Sequence, residues 1–117
     1  MGISRIKQQT LPLKKNSDFR MVYNRGRSVA DACMVVFVLK NGVGQSRLGI
    51  SCSKKIGKAV VRNRQRRRIK ELYRKTYAQT IRQGFDIIIM PRAAIVSAGA
   101  QDIEMSMRNL FKKQRLL

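Results

Sequence analysis

Apolar positions along the chain follow two different periods. In residues 29–40, VADACMVVFVLK, β-forming residues alternate weakly: Met34, Val36 and Val38 point one way, and Val35, Phe37 and Leu39 the other. That pattern predicts a strand covered on at least part of both faces. Asn41-Gly42, followed by Gly44, reads as a hairpin turn leading to a partner strand at residues 47–53, RLGISCS. FDIIIM, residues 85–90, is an apolar strand bounded by Pro91. Two apolar strand faces in so short a chain leave a surface for another molecule.

Elsewhere the period is helical. Ile69, Leu72, Tyr73, Thr76, Tyr77, Thr80 and Ile81 recur at three- and four-residue steps, predicting a helix over residues 59–82 that Gly84 stops. A helix between two strands of one sheet favours a parallel crossover. A shorter helix is expected to be capped by Asn16 or Ser17, with Asp18 in its first turn and Gly26 at its end. It places Phe19, Val22 and Tyr23 on one face, which by default is core. A last helix carries Ile103, Met107, Leu110 and Phe111 inward. Its acids come early (Asp102, Glu104) and its bases late (Arg108, Lys112, Lys113, Arg115), as the helix dipole prefers. Residues 1–15, with Arg5, Lys7, Pro12, Lys14 and Lys15, lack periodicity and read as a mobile basic arm. Residues 93–100, AAIVSAGA, read as a loop.

Charge changes this picture at one place. Residues 54–75 hold eleven of the 26 Lys and Arg and one acid, Glu71, so they carry +10 of the chain's net +20. Run backward, the apolar stripe of the long helix meets Gln65, Arg66 and Arg62, while Arg64, Arg67 and Arg68 point elsewhere. The first half of that helix is therefore basic nearly all round and should project away from the core. Arginines at the positive end of a helix dipole cost stability. Phosphates there meet free N–H groups and guanidinium forks together. A solvated charged face would need acids four residues away, and one Glu cannot supply them.

The remaining composition mostly excludes. At 117 residues the chain has room for one domain, and an apolar content of 44% is that of a globular protein. The absence of histidine removes Cys/His metal sites and Ser/His or Cys/His nucleophile pairs. Cys33 and Cys52 read as thiols buried in strands. The acids Asp18, Asp31, Glu71, Asp86, Asp102 and Glu104 show no spacing suited to a metal cage or to paired-carboxylate catalysis. There is no phosphate-binding glycine motif, no signal peptide and no apolar run of membrane length, which points to a cytoplasmic binder of nucleic acid.

SKKIGKAVVRNRQRRRIKE, together with LKKNSDF, RLGISCSKKIG and the DIII strand, resembles the protein subunit of bacterial ribonuclease P over most of the chain. The resemblance implies an α/β (α+β) two-layer sandwich of order αβββαβα, with a small central sheet, a long basic helix and a left-handed crossover. It implies a single RNA-binding domain over residues 1–117. The catalyst would be an RNA subunit using bound Mg to remove the 5′ leader of precursor tRNA, with no catalytic residue on the polypeptide and no further protein partner or membrane. Contacts to the catalytic RNA would fall to Lys54, Lys55, Lys58, Arg62, Asn63, Arg64, Arg66, Arg67, Arg68 and Lys70. The leader would lie on Lys14, Lys15, Phe19, Tyr23, Val35 and Phe37, so these aromatics become a stacking surface instead of core. Pro91 precedes Arg92 here and AAIVSAGA is less polar than the family's connection, so no site is carried into residues 91–100. The alternative reading is a ribosomal or general RNA-binding protein that shares only the charge.

Overall fold

A computed structural model describes residues 10–117. Its elements are β1 (Leu11–Pro12), α1 (Asn16–Arg25), β2 (Arg27–Ala30), β3 (Met34–Lys40), β4 (Arg47–Ile50), α2 (Ala59–Leu72), β5 (Phe85–Pro91) and α3 (Ala100–Lys113). The five strands form one sheet in the order β1-β4-β5-β3-β2. β4 runs parallel to β1 and β5, and β3 is antiparallel to β5 and β2.

The expected hairpin between β3 and β4 does not form, because β5 lies between them. Ile87, Ile88 and Ile89 are fully buried. A strand apolar on both faces belongs in the middle of a sheet, and β3 and β4 flank it. The Asn41-Gly42 turn signal is real but serves a wider loop: Asn41 Oδ1 accepts from Val43 N, while Nδ2 donates to Gln45 O and Asp86 Oδ1. The expected strand over residues 29–40 is also two strands. Asp31 Oδ1 accepts from the backbone N–H groups of Cys33 and Met34, turning the chain from β2 into β3. Cys33 thus sits half-buried in that turn and Cys52 follows β4, so neither free thiol lies within a strand.

Strand alternation divides the apolar residues between two faces. Met34, Val36, Val38, Ile87 and Ile89 meet Ile69, Tyr73 and Tyr77 of the long helical segment and Ile103, Met107, Leu110 and Phe111 of α3 in the main core. On the other face Ile88, Val22 and Leu13 form a smaller cluster bordered by Phe19, Tyr23, Phe37 and Leu39. α2 ends at Leu72 instead of running to residue 82. A π-helical turn, Tyr73–Tyr77, continues it, and both tyrosine rings stand edge-on to Phe111 at 6.1 and 5.2 Å.

Of the expected mobile arm, residues 1–9 lie outside the described residues, and the rest is anchored. Leu11 and Leu13 donate to the carbonyls of Ser46 and Leu48, and Leu13 is buried. Pro12, which has no N–H, fits an edge strand. Thr10 Oγ1 and the Tyr73 hydroxyl are 2.6 Å apart. Neither Asn16 nor Ser17 caps α1; the cap is Lys15, with no side-chain bond. Gly26 does end the helix, for a steric reason: a Cβ there would lie 2.5 Å from Val22 O and 2.9 Å from Val38 O.

Candidate nucleic-acid interface

β4 leads into a short basic turn, Lys54–Ile56, capped by Ser53, whose Oγ accepts from Lys55 N. Gly57 follows with φ 145°, and a Cβ there would lie 3.1 Å from Val61. Only glycine suits that bend, which sets α2 off at Lys58. Lys58 caps α2 with no side-chain bond, and no acid lies in its first turn. The positive end of the helix dipole is therefore uncompensated by the chain itself.

Lys54, Lys55, Lys58, Asn63, Arg64, Arg67 and Lys70 are exposed, and Arg62, Arg66 and Arg68 are half-buried. Among the described residues there are five ion pairs, and none includes any base of the set from Lys54 to Lys70. Arg66 Nη1 donates to Asn63 Oδ1 at 2.9 Å, joining two residues of one exposed face.

One side of this half-helix departs from the expectation that it stands clear of the protein. Gln65 is only 1% exposed. Its Oε1 accepts from Arg68 Nη1 at 2.8 Å, and Arg68 Nη2 donates to Ala98 O at 2.8 Å. Arg68 is thus an internal clamp holding the residue 93–98 segment, whose Ile95 is fully buried, against α2. Its guanidinium is thereby partly committed within the chain. The sequence offered no sign of this, because the acceptors beyond Gln65 are backbone carbonyls 27 and 30 residues away. Cys52 lies under the same side, its thiol 3.8 Å from Arg62 O.

The other predicted set gathers on the α1 face of the sheet. Phe19, Tyr23 and Phe37 form a continuous strip: Tyr23 meets Phe37 edge-on at 4.9 Å, and Phe19 lies 6.3 Å from Tyr23. All three rings and Val35 are half-buried, and Lys14 and Lys15 are exposed at the start of α1. Two positions were missed. Gly49 is the floor beneath Phe19, since a Cβ there would lie 2.5 Å from the ring. Met90 pairs with Val35 across β3 and β5 and extends the same face. Strand alternation carried both signals, but only the strand order placed them beside the rings. β4 finishes at Ile50 and β3 starts at Met34 at the same end of the sheet, the end from which the basic turn leads into α2.

A mixed α/β sheet with an unpaired arginine helix at one end and half-exposed aromatics on one face defines an RNA-binding protein. Comparison with known proteins makes this specific. The sequence profile described as Ribonuclease P matches residues 8–115. The chain is 48% identical over 105 residues to the ribonuclease P protein component of Clostridioides difficile (strain 630), covering 90% of this chain and 92% of that one. The solved ribonuclease P protein of Staphylococcus aureus superposes with a TM-score of 0.82 at 35% identity, over 92% of this chain and 98% of that one. That of Thermotoga maritima gives 0.78 at 32% identity, over 87% and 96%. The chain belongs to the ribonuclease P protein family. It is a protein subunit of a tRNA-processing endoribonuclease that works with an RNA subunit, and the general RNA-binding alternative is not favoured.

Proposed function

We propose that the basic face of α2 as far as Lys70 and the basic turn before it form the surface laid against the catalytic RNA, while the aromatic strip takes the 5′ leader of precursor tRNA. The carrying observation is the stretch of arginines at the positive end of a helix with no carboxylate partner among the described residues. Only an external polyanion stabilises that arrangement.

In this reading Lys54, Lys55, Lys58, Arg62, Asn63, Arg64, Arg66, Arg67 and Lys70 meet phosphates, and Arg68 keeps the half-helix seated. Leader bases stack on Phe19, Tyr23 and Phe37, each stack contributing about 1 to 3 kcal/mol, with Lys14 and Lys15 beside the backbone. The chain acts as one RNA-binding unit in the cytoplasm. No helix among the described residues is long and apolar enough to cross a membrane.

Mg belongs to the RNA and its substrate in this reading. Among the described residues no three His, Cys, Asp or Glu side chains gather to hold a metal. Asp18, Glu71, Asp86 and Glu104 are each paired with Arg or Lys. The side chains present do not fit a protein-held magnesium site.

Reconstitution tests the proposal. Protein plus its RNA subunit should cleave precursor tRNA at low magnesium, and the polypeptide alone should not. Phe37→Ala should weaken binding of long-leader precursors and spare leaderless tRNA. Cleavage by RNA-free polypeptide, or equal losses with and without a leader, would overturn it.

A further inference from the structure

The bases that remain after α2 is accounted for are not scattered. Gln114, 8% exposed, donates from Nε2 to Arg27 O at 2.7 Å and to Val36 O at 2.9 Å, tying the end of α3 to β2 and β3. Leu116, fully buried, donates from its backbone to Phe111 O and accepts from Arg82 N. Arg115 lies between them in the left-handed region, φ 59°, and its carbonyl accepts from Arg82 Nη1 at 3.1 Å. Arg82 also stands 5.5 Å over the Phe85 ring, and Phe85 pairs with Lys40. Arg27, Lys40, Arg82, Lys112, Lys113 and Arg115 are thus held at one end of the sheet by backbone contacts, and all are exposed.

No ion pair among the described residues includes any of them. Asp86, beside Phe85, faces the opposite side of the sheet and is taken by Arg47. So many like charges fixed together oppose folding unless an anion meets them. Phosphates lying on the first turns of α2, from Lys58 to Arg64, cannot serve. α2 runs from that end toward this one, and its fourteen residues span about 21 Å, against a screening length of roughly 8 Å in physiological salt.

We propose that this end of the molecule is a second surface for phosphodiester backbone, occupied by a segment of the catalytic RNA distinct from the one on α2. The inference rests on the assignment of α2 to that RNA. The choice of occupant follows from the sheet faces. Arg27 pairs with Val38, whose side chain is in the main core, and Lys40 lies two residues further along the same face. This is the α2 side of the sheet, whereas the aromatic strip assigned to precursor tRNA is on the other.

The test measures affinity for the RNA subunit alone against salt concentration for three proteins: wild type, Lys40→Gln/Lys112→Gln/Lys113→Gln, and Arg64→Gln/Arg67→Gln. Each phosphate contact adds about 0.9 to the slope of log affinity against log salt. The triple variant should lower that slope by about 2 to 3, with thermal unfolding near that of wild type. An unchanged slope, while the α2 variant lowers it, would overturn the second surface and leave α2 standing. An unchanged slope for the α2 variant alone would instead remove the α2 assignment. A loss seen only once precursor tRNA is bound would give the surface to the substrate and overturn the proposal. Independently of any substitution, Lys40, Lys112 and Lys113 of wild-type protein should acetylate several-fold more slowly in the complex. Equal rates with and without RNA would refute the contact.

Discussion

Arg47 meets Asp86 through two parallel hydrogen bonds, Nε to Oδ1 and Nη2 to Oδ2, each 2.7 Å long. Asp86 is almost wholly buried and also accepts from Asn41, and Arg47 Nη1 lies 3.5 Å from Asp18 on α1. One guanidinium therefore joins β4, β5 and the helix that carries Phe19. Removing Arg47 would leave the Asp86 charge buried with Asn41 alone to meet it, whereas removing Asp86 leaves Arg47 partly exposed and still beside Asp18. Arg47→Ala should lower unfolding free energy by about 3 kcal/mol in urea titration. Arg47→Lys should lose part of that, because an ammonium cannot make the fork. Wild-type stability in both variants would show that the pair contributes nothing net.

Arg64 and Arg68 are four residues apart on α2 but should behave differently. Arg64 is exposed, and its replacement by Ala should lower the salt slope of RNA-subunit binding by about 0.9 and leave stability nearly unchanged. Arg68→Ala breaks charge-assisted bonds to Gln65 and Ala98, so it should cost about 1.5 to 3 kcal/mol of stability and leave the slope alone. A changed slope for Arg68→Ala would make it an RNA contact after all.

Gly49→Ala probes the leader strip without replacing a side chain proposed to meet RNA. The added methyl would press on the Phe19 ring from 2.5 Å, with an overpacking cost of about 1 to 3 kcal/mol. Affinity for long-leader precursors should fall while that for leaderless tRNA holds, as read by competition binding. A uniform loss would mean that the whole sheet had shifted.

Alkali should destabilise the fold through two buried groups. Burial pushes the Cys52 thiol above its ordinary 9.0, against the pull of Arg66 and Arg62. Burial likewise pushes the Tyr73 hydroxyl above 10.0, against its bond to Thr10. In both cases the folded chain holds the proton more tightly than the unfolded one. Their contribution is complete below the unfolded pKa values and is lost as pH rises through the folded ones. The urea midpoint should therefore decline above about pH 9, and Cys52→Ala/Tyr73→Phe should flatten that decline. Iodoacetamide should label Cys52 slowly at neutral pH and quickly after unfolding.

The basic helix and the apolar strands were legible because each rests on periodicity within one segment. Ile69, Tyr73 and Tyr77 had to face one way at helical spacing, and all are buried. The β3–β4 hairpin was misread because turn chemistry at Asn41-Gly42 reports where the chain bends, while pairing depends on which strand is apolar on both faces. The clamp at Arg68 was invisible for a related reason. A side chain's donors are written in the sequence, but carbonyl acceptors are common to every residue, and only proximity selects one.

By itself the sequence determined the main helices and apolar strands, the family and the excess of positive charge, since those follow from local spacing and residue chemistry. The tertiary structure decided that Arg68 is clamped to Gln65 and Ala98 while Arg64 and Arg67 stand exposed. It also decided that Gly49 and Met90 floor the aromatic strip, and that bases from β2, β3, α3 and the chain before β5 share one end of the sheet. Those relations join residues far apart in the chain, and only the packing of one sheet between helices brings them within reach.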